Sequence, residues 1–332
     1  MMAAGGRAVY VFSVIPRLAK LVQDGLPDVK VIEVNYKGGK KVCEEEVAAL
    51  QDAEILLVDN GLLAEITDRL PSIKWAQGTW AGVDAFLKHL DKPRPTFPIS
   101  RMVSDSFSQL MAEHTIGWIL THERGWLECR QNQLQSEWVQ TDKIGYYRCL
   151  KDLTVGVLGM GNIGKEVARS LKAFHSVVHA FTRTVPAAEH KSQDVDQYWH
   201  TGELPQFLKE CDYVVNIMPS TPDTRGMLGK DILQHAKKDA IFINIGRGDV
   251  ISEEDLIKAL DAGWLSGAIL DVFEVEPLPK TNSLWTHPKV RITPHTAGVS
   301  RAEDVAEAFL LNYHRFISGQ QVRHIIDWKA GY

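Results

Sequence analysis

A glycine-rich turn near the middle of the chain has the spacing of a loop that binds phosphate groups. An apolar run that begins at Thr154 leads directly into it, and a helical pattern follows. The first glycine would permit a tight turn, the second would let a pyrophosphate approach the backbone, and the third would let the helix pack closely on the strand. We therefore predict a dinucleotide site, the alternatives being an ordinary glycine-rich turn or a site for another nucleotide. Its residues are Gly159, Met160, Gly161, Asn162, Ile163 and Gly164.

The residues after the next apolar run bear on which dinucleotide binds. Residues 176–181 are predicted to form that strand, and an NAD enzyme usually offers Asp or Glu about 20 residues past the first glycine to the ribose hydroxyls. This chain has Thr182, Arg183 and Thr184 there instead. A guanidinium flanked by two hydroxyls suits a 2′-phosphate, so the sequence favours NADPH, with NADH still possible. A solvated loop arginine is the alternative interpretation of Arg183.

Three further segments place polar side chains just after predicted strands. They contain Arg247, the pair Asp271 and Glu276, and His295. Open α/β sheets bind their ligands beyond the carboxyl ends of the strands. These side chains are therefore candidates for the same ligand site as the glycine-rich turn.

The elements that carry these residues form two alternations of strands and helices. In the first alternation, the predicted strands are residues 9–14, 29–34, 55–59 and 73–76. A long helical pattern over 106–132 follows. In the second alternation, the strands are a run from 154 and residues 176–181, 213–218, 240–245, 267–272 and 290–293. This pattern predicts an α/β fold with two parallel sheets, and a last helix, 301–318, that returns to the first domain.

Length and composition limit the class of protein. The 332 residues suit two domains, and 45% apolar with 24% charged residues allow a substantial core. A net charge of −5 gives no general electrostatic reason to bind nucleic acid or an anionic membrane. The first sixteen residues lack the pattern of a secretory signal, and no run approaches transmembrane length. We therefore expect a globular, cytoplasmic protein.

The cysteines give no sign of a metal site or of a disulfide framework. The four of them lie far apart in the sequence, without the spacing of zinc ligands. We expect reduced thiols and no bound metal. They are Cys43, Cys129, Cys149 and Cys211.

Taken together, the motifs resemble those of the D-isomer-specific 2-hydroxyacid dehydrogenase family. The glycine-rich turn and the three polar segments occur in the family's order, and the segments 80–84 and 218–224 extend the likeness over nearly the whole chain. Within the family, the likeness is greatest to glyoxylate/hydroxypyruvate reductases of the A type. The resemblance implies two Rossmann-like or flavodoxin-like domains with the active site in the cleft between them. The substrate-binding domain would be 1–118 plus 299–332, and the NAD(P)-binding domain 119–298.

The resemblance also implies a catalytic set, Arg247, Glu276 and His295. The planar fork of Arg247 would bind the carboxylate and carbonyl of a 2-oxo acid. His295 would exchange a proton with the carbonyl oxygen as hydride arrives from the nicotinamide, and Glu276 would orient the imidazole and favour its charged form. The expected reaction is the reduction of glyoxylate or hydroxypyruvate to glycolate or D-glycerate.

The remaining site residues are assigned by the resemblance alone. Ala81 and Gly82 would hold the substrate carboxylate through the backbone, Trp80 would limit the pocket unless it only packs in the core, and Asn60 would lie on the substrate side. A second group would contact the cofactor, with Asp271 facing the carboxamide and Pro219 lying over the cleft. That group is Thr224, Ile245, Gly246, Gly298, Pro219 and Asp271.

Other functions remain as alternatives. The same fold occurs in nucleotide-sensing transcriptional corepressors, which carry extended tails that this sequence lacks. A methyltransferase that binds S-adenosylmethionine would explain the glycine-rich turn but not the catalytic set, and a formate-type dehydrogenase would pair its histidine with Gln. Relatives commonly form homodimers through the cofactor domain, and residues 126–138 could contribute here.

Overall fold

The strands that the structure describes run parallel to their neighbours and form two sheets, of five and seven strands. The computed structural model describes residues 8–39, 41–87 and 94–328. In chain order the strands are β1 Val9–Phe12, β2 Val31–Glu33, β3 Ile55–Val58, β4 Trp75–Gly78, β5 Ile99–Ser100, β6 Thr154–Leu158, β7 Val177–Thr182, β8 Gln197–His200, β9 Tyr213–Asn216, β10 Ile241–Asn244, β11 Gly267–Leu270 and β12 Val290–Ile292. The α/β class with two parallel sheets, predicted from the sequence, is confirmed.

Helices connect these strands. In chain order they are α1 Leu18–Gly25, α2 Glu44–Ala49, α3 Asn60–Ile66, α4 Asp84–Leu87, α5 Asp105–Glu123, α6 Trp126–Leu134, α7 Asp142–Gly145, α8 Asn162–Ala173, α9 Leu204–Glu210, α10 Glu253–Asp261 and α11 Ala302–Ile317. The chain divides into two compact units, one of Met1–Phe107 with Ser300–Tyr332 and one of Ser108–Val299. Within the described ranges, no helix has the length and apolar character needed to cross a membrane.

The sheet of the first unit has the strand order β2-β1-β3-β4-β5, the flavodoxin-like order. Val9 of β1 lies opposite Ile55 of β3, which in turn lies opposite Trp75 of β4. All four residues of β3 are buried. This explains why β3 is a continuous apolar run, since a parallel sheet that is covered on both faces has no side that needs polar residues.

The last helix, α11, contributes to the core of the first unit. Trp75 stacks on Phe309 of α11 with ring centroids 5.3 Å apart and packs at the same distance against Phe316. Trp75 and Phe309 are both fully buried. Truncating an aromatic side chain in such a position costs about 3–5 kcal/mol of stability. The C-terminal segment is therefore part of the first unit's hydrophobic core.

The sheet of the second unit has the order β12-β11-β10-β9-β6-β7-β8. The chain moves from β6 to one side through β7 and β8, and then returns to the other side of β6 at β9. This reversal is the topological switch point of a Rossmann fold, where ligands bind beyond the carboxyl ends of the strands. The glycine-rich turn follows β6 and therefore lies at this point.

The long helical pattern over residues 106–132 forms two helices rather than one. α5 ends at Glu123, Gly125 has the left-handed backbone angle φ 57°, and α6 begins at Trp126. A glycine adopts this conformation without steric cost, so the chain can turn here although the apolar spacing continues. The single helix predicted from the sequence is therefore wrong at this position.

Two strands have no counterpart in the sequence prediction. β5 has only two residues, and β8 carries no continuous apolar run. Both lie at the edges of their sheets, where each strand pairs with one neighbour only and the pattern of burial is weak.

The predicted domain boundary between residues 118 and 119 falls inside α5, whereas the two compact units divide between Phe107 and Ser108. The ends of the first predicted domain, residues 1–7 and 329–332, lie outside the described residues.

Candidate active site

The glycine-rich turn after β6 has the geometry of a phosphate loop. Gly159 has φ 101°, and its N–H donates to the carbonyl of Phe181 at the end of β7, 3.0 Å away. A Cβ on Gly164 would lie 2.0 Å from the carbonyl oxygen of Gly159, so only glycine lets α8 start this close to the turn. Strand, turn and helix are therefore held in one fixed arrangement.

The same turn leaves room for an anionic group. A Cβ built on Gly161 has nothing within 4 Å, so the space in front of this residue is open. The N–H groups of the first turn of α8, which begins at Asn162, have no partners inside the helix and carry its positive dipole end. These features fit the pyrophosphate of a dinucleotide, which Met160 to Ile163 would hold through the backbone.

Two hydroxyls, one from the end of β7 and one from the residue after β8, hold the backbone of the turn after β7, and the cation of this turn is exposed. Thr182 Oγ1 donates to the carbonyl of Thr184 at 2.9 Å, and Thr201 Oγ1 donates to the carbonyl of Arg183 at 3.3 Å. The side chain of Arg183 is exposed. A guanidinium on a fixed turn next to the switch point is well placed to bind a phosphate on the adenosine ribose.

The turn after β9 lies on the other side of the switch point. Thr224 Oγ1 donates to the carbonyl of Pro219 at 2.6 Å and so closes the turn. Directly after the neighbouring strand β10, Ile245 is buried and its N–H donates to the carbonyl of Asn216 at 3.1 Å. Gly246 donates to Asn244 Oδ1 at 3.2 Å. These contacts fix the two backbone segments that border the predicted cofactor site.

The side chains of Glu276 and His295 are joined directly. His295 Nδ1 lies 2.7 Å from Glu276 Oε2, and the N–H of Phe273 donates to Glu276 Oε1 at 2.9 Å. Because an ionised carboxylate only accepts hydrogen bonds, Nδ1 must carry the proton of this contact. Nε2 then remains the ring nitrogen that can exchange a proton with a ligand. The side chain of His295 is 51% exposed and that of Glu276 is 34% exposed, so a ligand can reach the pair.

Arg247 lies close to this pair. A Cβ on the next residue, Gly248, would lie 2.0 Å from the carbonyl carbon of Phe273, so the backbone of the arginine's loop packs directly on the loop that leads to Glu276. Arg247 Nη1 also donates to the carbonyl of Gly246 at 2.6 Å. Its charge acts on the pKa values of both Glu276 and His295. The structure therefore brings the three predicted catalytic residues together.

The backbone of His295 is held in an uncommon conformation by Asp271. His295 has φ 54°, and its N–H donates to the carbonyl of Asp271 at 2.8 Å. The buried Asp271 carboxylate accepts from Thr293 Oγ1 at 2.6 Å, from the N–H of Thr296 at 2.8 Å and from the N–H of Ala297 at 2.9 Å. Such strain persists only where the surroundings fix it. Asp271 therefore positions the loop from Thr293 to Ala297.

Each member of the histidine and glutamate pair favours the charged form of the other. The hydrogen bond that His295 donates to Glu276 is the main reason that the pKa of His295 is raised above its usual value, although burial and the charge of Arg247 oppose it. Burial raises the pKa of Glu276, but the hydrogen bonds from His295 and from the N–H of Phe273 outweigh it and lower that pKa. An imidazolium that persists to higher pH, with Nε2 accessible, can donate a proton to a ligand.

The predicted substrate residues lie in the first unit, after β3 and β4. Trp80 is partly exposed, whereas Asn60 is buried and its amide nitrogen donates to the carbonyls of Trp80 at 3.2 Å and Gly82 at 2.6 Å. Ala81 lies between these two residues in the same loop. The structure thus brings together the four predicted substrate residues of the first unit.

Some residues that build the site were missed in the sequence. Asp59 accepts from Ser13 Oγ, from the N–H of Val14 and from Thr79 Oγ1, at 2.6, 2.8 and 2.6 Å. Its position at the end of an apolar run was a usable signal, because that is where polar ligand-side residues stand in such sheets. Gly248 gave no signal, since the loop against which it packs is formed by residues distant in the sequence.

A family model described as the NAD binding domain of D-isomer specific 2-hydroxyacid dehydrogenases matches residues 116–297, which is more than half of the chain. The chain belongs to the D-isomer specific 2-hydroxyacid dehydrogenase family. It is accordingly a dehydrogenase, an oxidoreductase with a domain that binds a nicotinamide cofactor. Members of the family bind small 2-hydroxy and 2-oxo acids.

Solved structures of family members match nearly the whole chain. A protein of this family from Aeromonas salmonicida is 30% identical, with a TM-score of 0.84 over 97% of this chain and 99% of that one. An NADPH-dependent glyoxylate/hydroxypyruvate reductase from Sinorhizobium meliloti, in complex with NADP and sulfate, is 28% identical, with a TM-score of 0.84 over 98% and 100%. A third, from Xanthobacter autotrophicus in complex with NADPH and MES, is 30% identical, with a TM-score of 0.83 over 99% and 100%.

The pairing of Glu276 with His295 predicts the direction of a measurable pKa change. Glu276→Gln removes the negative charge and should lower the pKa of His295, so that the imidazolium is lost at lower pH. A pH titration of the imidazole proton signals by NMR, with the His295 signal assigned from His295→Asn, measures this. Glu274→Gln is the matched control, because Glu274 is an exposed glutamate of the same loop. An unchanged His295 pKa in Glu276→Gln would contradict the pairing.

Proposed function

We propose that the protein reduces small 2-oxo acids, such as glyoxylate and hydroxypyruvate, to D-2-hydroxy acids, such as glycolate and D-glycerate, with NADPH. The observation that carries this proposal is the hydrogen-bonded pair His295 and Glu276 beside Arg247, at the carboxyl end of a sheet with a dinucleotide loop. A proton donor next to a fixed cation is what the reduction of a carbonyl beside a carboxylate requires.

The residues of the second unit would share the chemistry as follows. A bound NADPH supplies the hydride. Arg247 binds the carboxylate and polarises the carbonyl of the acid, and His295 donates the proton on Nε2 to the carbonyl oxygen. Glu276 stabilises the imidazolium before the transfer and keeps the ring oriented after it. In the reverse direction, the neutral imidazole accepts the hydroxyl proton.

Backbone groups of the first unit would also bind the substrate carboxylate. In our proposal, the N–H groups of Ala81 and Gly82 hold the carboxylate, since successive backbone N–H groups form an anion site. Trp80, which is 38% exposed, limits the size of the substituent on the acid. An indole at this point favours acids of two or three carbons over those with bulky side chains.

The choice of NADPH over NADH depends on the turn after β7. Thr182 and Thr184 flank the exposed guanidinium of Arg183, and the turn contains no carboxylate that could accept from the ribose hydroxyls. Two of the similar structures were solved with NADP or NADPH. Both observations support a preference for the phosphorylated cofactor.

The proposed activity is tested by steady-state kinetics with a panel of 2-oxo acids and NADPH. We expect turnover of glyoxylate and hydroxypyruvate, and a loss of about 10²- to 10⁴-fold in kcat for His295→Ala, the range for removing a general acid. His287→Ala is the matched control, because His287 is also paired with a carboxylate, Asp261, at 3.3 Å. NADPH binding without turnover of any 2-oxo acid would refute the proposal and favour a nucleotide-sensing protein.

The role of Arg183 is tested by comparing the two cofactors. Arg183→Ala should raise the KM for NADPH by about 10-fold or more and leave the KM for NADH nearly unchanged, since only NADPH carries the 2′-phosphate. Arg169→Ala, which removes an exposed guanidinium from α8, is the control. Equal losses with both cofactors would show that Arg183 supports the structure of the turn instead.

We also propose that the chain forms a homodimer through residues 126–138, the segment indicated by the sequence, extended to residue 147 by the exposed aromatic side chains that follow it. This segment exposes several large aromatic side chains, among them Trp138 at 88% and Tyr146 at 85%. Apolar surface of this kind marks an interaction site. Light scattering should give twice the chain mass, and Trp138→Ala combined with Tyr146→Ala should shift the protein towards the monomer. Trp285→Ala, which removes an exposed Trp elsewhere, should not; a monomeric unaltered protein would exclude the dimer.

A further inference from the structure

The loop after β4, residues 79–83, has three successive peptide carbonyls that are each bound by a side chain. Asn60 Nδ2 donates to the carbonyl of Trp80 at 3.2 Å and to that of Gly82 at 2.6 Å. Arg101 Nη1 donates to the carbonyl of Ala81 at 3.4 Å. The three peptide planes that contain these carbonyls are therefore fixed by side chains from outside the loop.

This arrangement also fixes the direction of the N–H groups. In a trans peptide, the C=O and the N–H of the same plane point in opposite directions. The N–H groups of Ala81 and Val83 must therefore point away from Asn60, and that of Gly82 away from Arg101. Within the described ranges, the structure records no hydrogen bond from these three N–H groups to the protein. They remain available for an anion.

Asn60 is itself held in place by the fold. Its side chain is only 3% exposed, and the residue opens α3 directly after Asp59, whose carboxylate is bonded to the loops that follow β1 and β4. A Cβ built on Gly78 would lie 2.0 Å from Asn60 Oδ1. Only glycine at position 78 thus leaves room for the amide.

We propose that Asn60 is a positioning residue for substrate binding: by holding the carbonyls of Trp80 and Gly82, it fixes the peptide planes of the loop so that its N–H groups, those of Ala81 and Gly82 among them, stay open to the substrate carboxylate. Asn60 does not itself touch the substrate in this arrangement, because its two amide protons are used by the loop. The inference rests on the proposed function, since it assumes that the anion bound here is the carboxylate of the 2-oxo acid.

The test compares two ways of disturbing Asn60 with a matched control. Asn60→Ala removes the amide, and Gly78→Ala keeps the amide but displaces it. The control is Asn312→Ala, which removes another buried asparagine of the first unit that also donates to a backbone carbonyl, that of Arg323, at 3.3 Å. Thermal unfolding identifies the folded variants; if Asn60→Ala does not fold, Asn60→Ser replaces it.

Two experiments are made on each variant. The first is steady-state kinetics, which gives the KM for glyoxylate, the KM for NADPH and kcat. The second is the affinity for oxalate, an unreactive dicarboxylate, measured by titration calorimetry with no turnover required. We expect both Asn60→Ala and Gly78→Ala to raise the KM for glyoxylate and the Kd for oxalate by about 10- to 100-fold, the factor for losing a hydrogen bond to a charged group. The KM for NADPH should change by less than about twofold, and Asn312→Ala should change neither acid's binding.

The outcomes separate this inference from the proposed function. Oxalate binding that weakens in the two variants supports the inference, even if the unaltered protein reduces no 2-oxo acid and the proposed function fails. A KM for glyoxylate and a Kd for oxalate that are equal in the unaltered protein and in Asn60→Ala overturn the inference, while turnover of glyoxylate by the unaltered protein leaves the proposed function intact. A protein that neither turns over 2-oxo acids nor binds oxalate would overturn both. Equal losses in Asn60→Ala and Asn312→Ala would overturn the inference by showing a general structural effect.

Discussion

The parallel direction of the strands is the constraint on which the candidate site depends. Because β6, β9, β10, β11 and β12 run parallel, the loops that follow them all leave the same edge of the second sheet. The dinucleotide loop, Arg247, Glu276 and His295 stand in such loops, so the parallel sheet places them on one side. The chemistry of the site is therefore a consequence of strand order as much as of residue type.

In each sheet, a buried carboxylate fixes loops at the carboxyl ends of that sheet's own strands. Asp271 accepts from one hydroxyl and two N–H groups of the loop around His295. Asp59 likewise accepts from two hydroxyls and one N–H of the loops after β1 and β4. A buried charge is costly unless it is fully hydrogen-bonded, so a loop that supplies these donors is held firmly in one conformation. The two units have the same device at equivalent positions, after a strand.

The charges around His295 have opposing effects that suit a proton donor. Glu276 raises the pKa of His295, whereas burial and the guanidinium of Arg247 lower it. Arg247 therefore limits how far Glu276 raises the pKa of His295.

The sequence by itself determined the features that depend on local geometry. The glycine-rich turn could be recognised because its glycines act within a few residues of each other, and the central strands because burial on both faces makes them continuous apolar runs. The motifs in the sequence also indicated the family, and the match to the family model confirmed it. The edge strands β5 and β8 and the break at Gly125 were missed, because short edge strands and a single left-handed residue leave little trace in apolar spacing.

Only the tertiary structure decided how the side chains meet. The contact between Glu276 and His295 spans 19 residues, and that between Asn60 and Gly82 spans 22. The sequence suggested that Asn60 faces the substrate, but its amide protons are used by backbone carbonyls of a neighbouring loop, a contact that no motif contains. Which hydrogen bonds a polar side chain makes depends on distances set by the packing of whole strands, and spacing along the chain does not encode those distances.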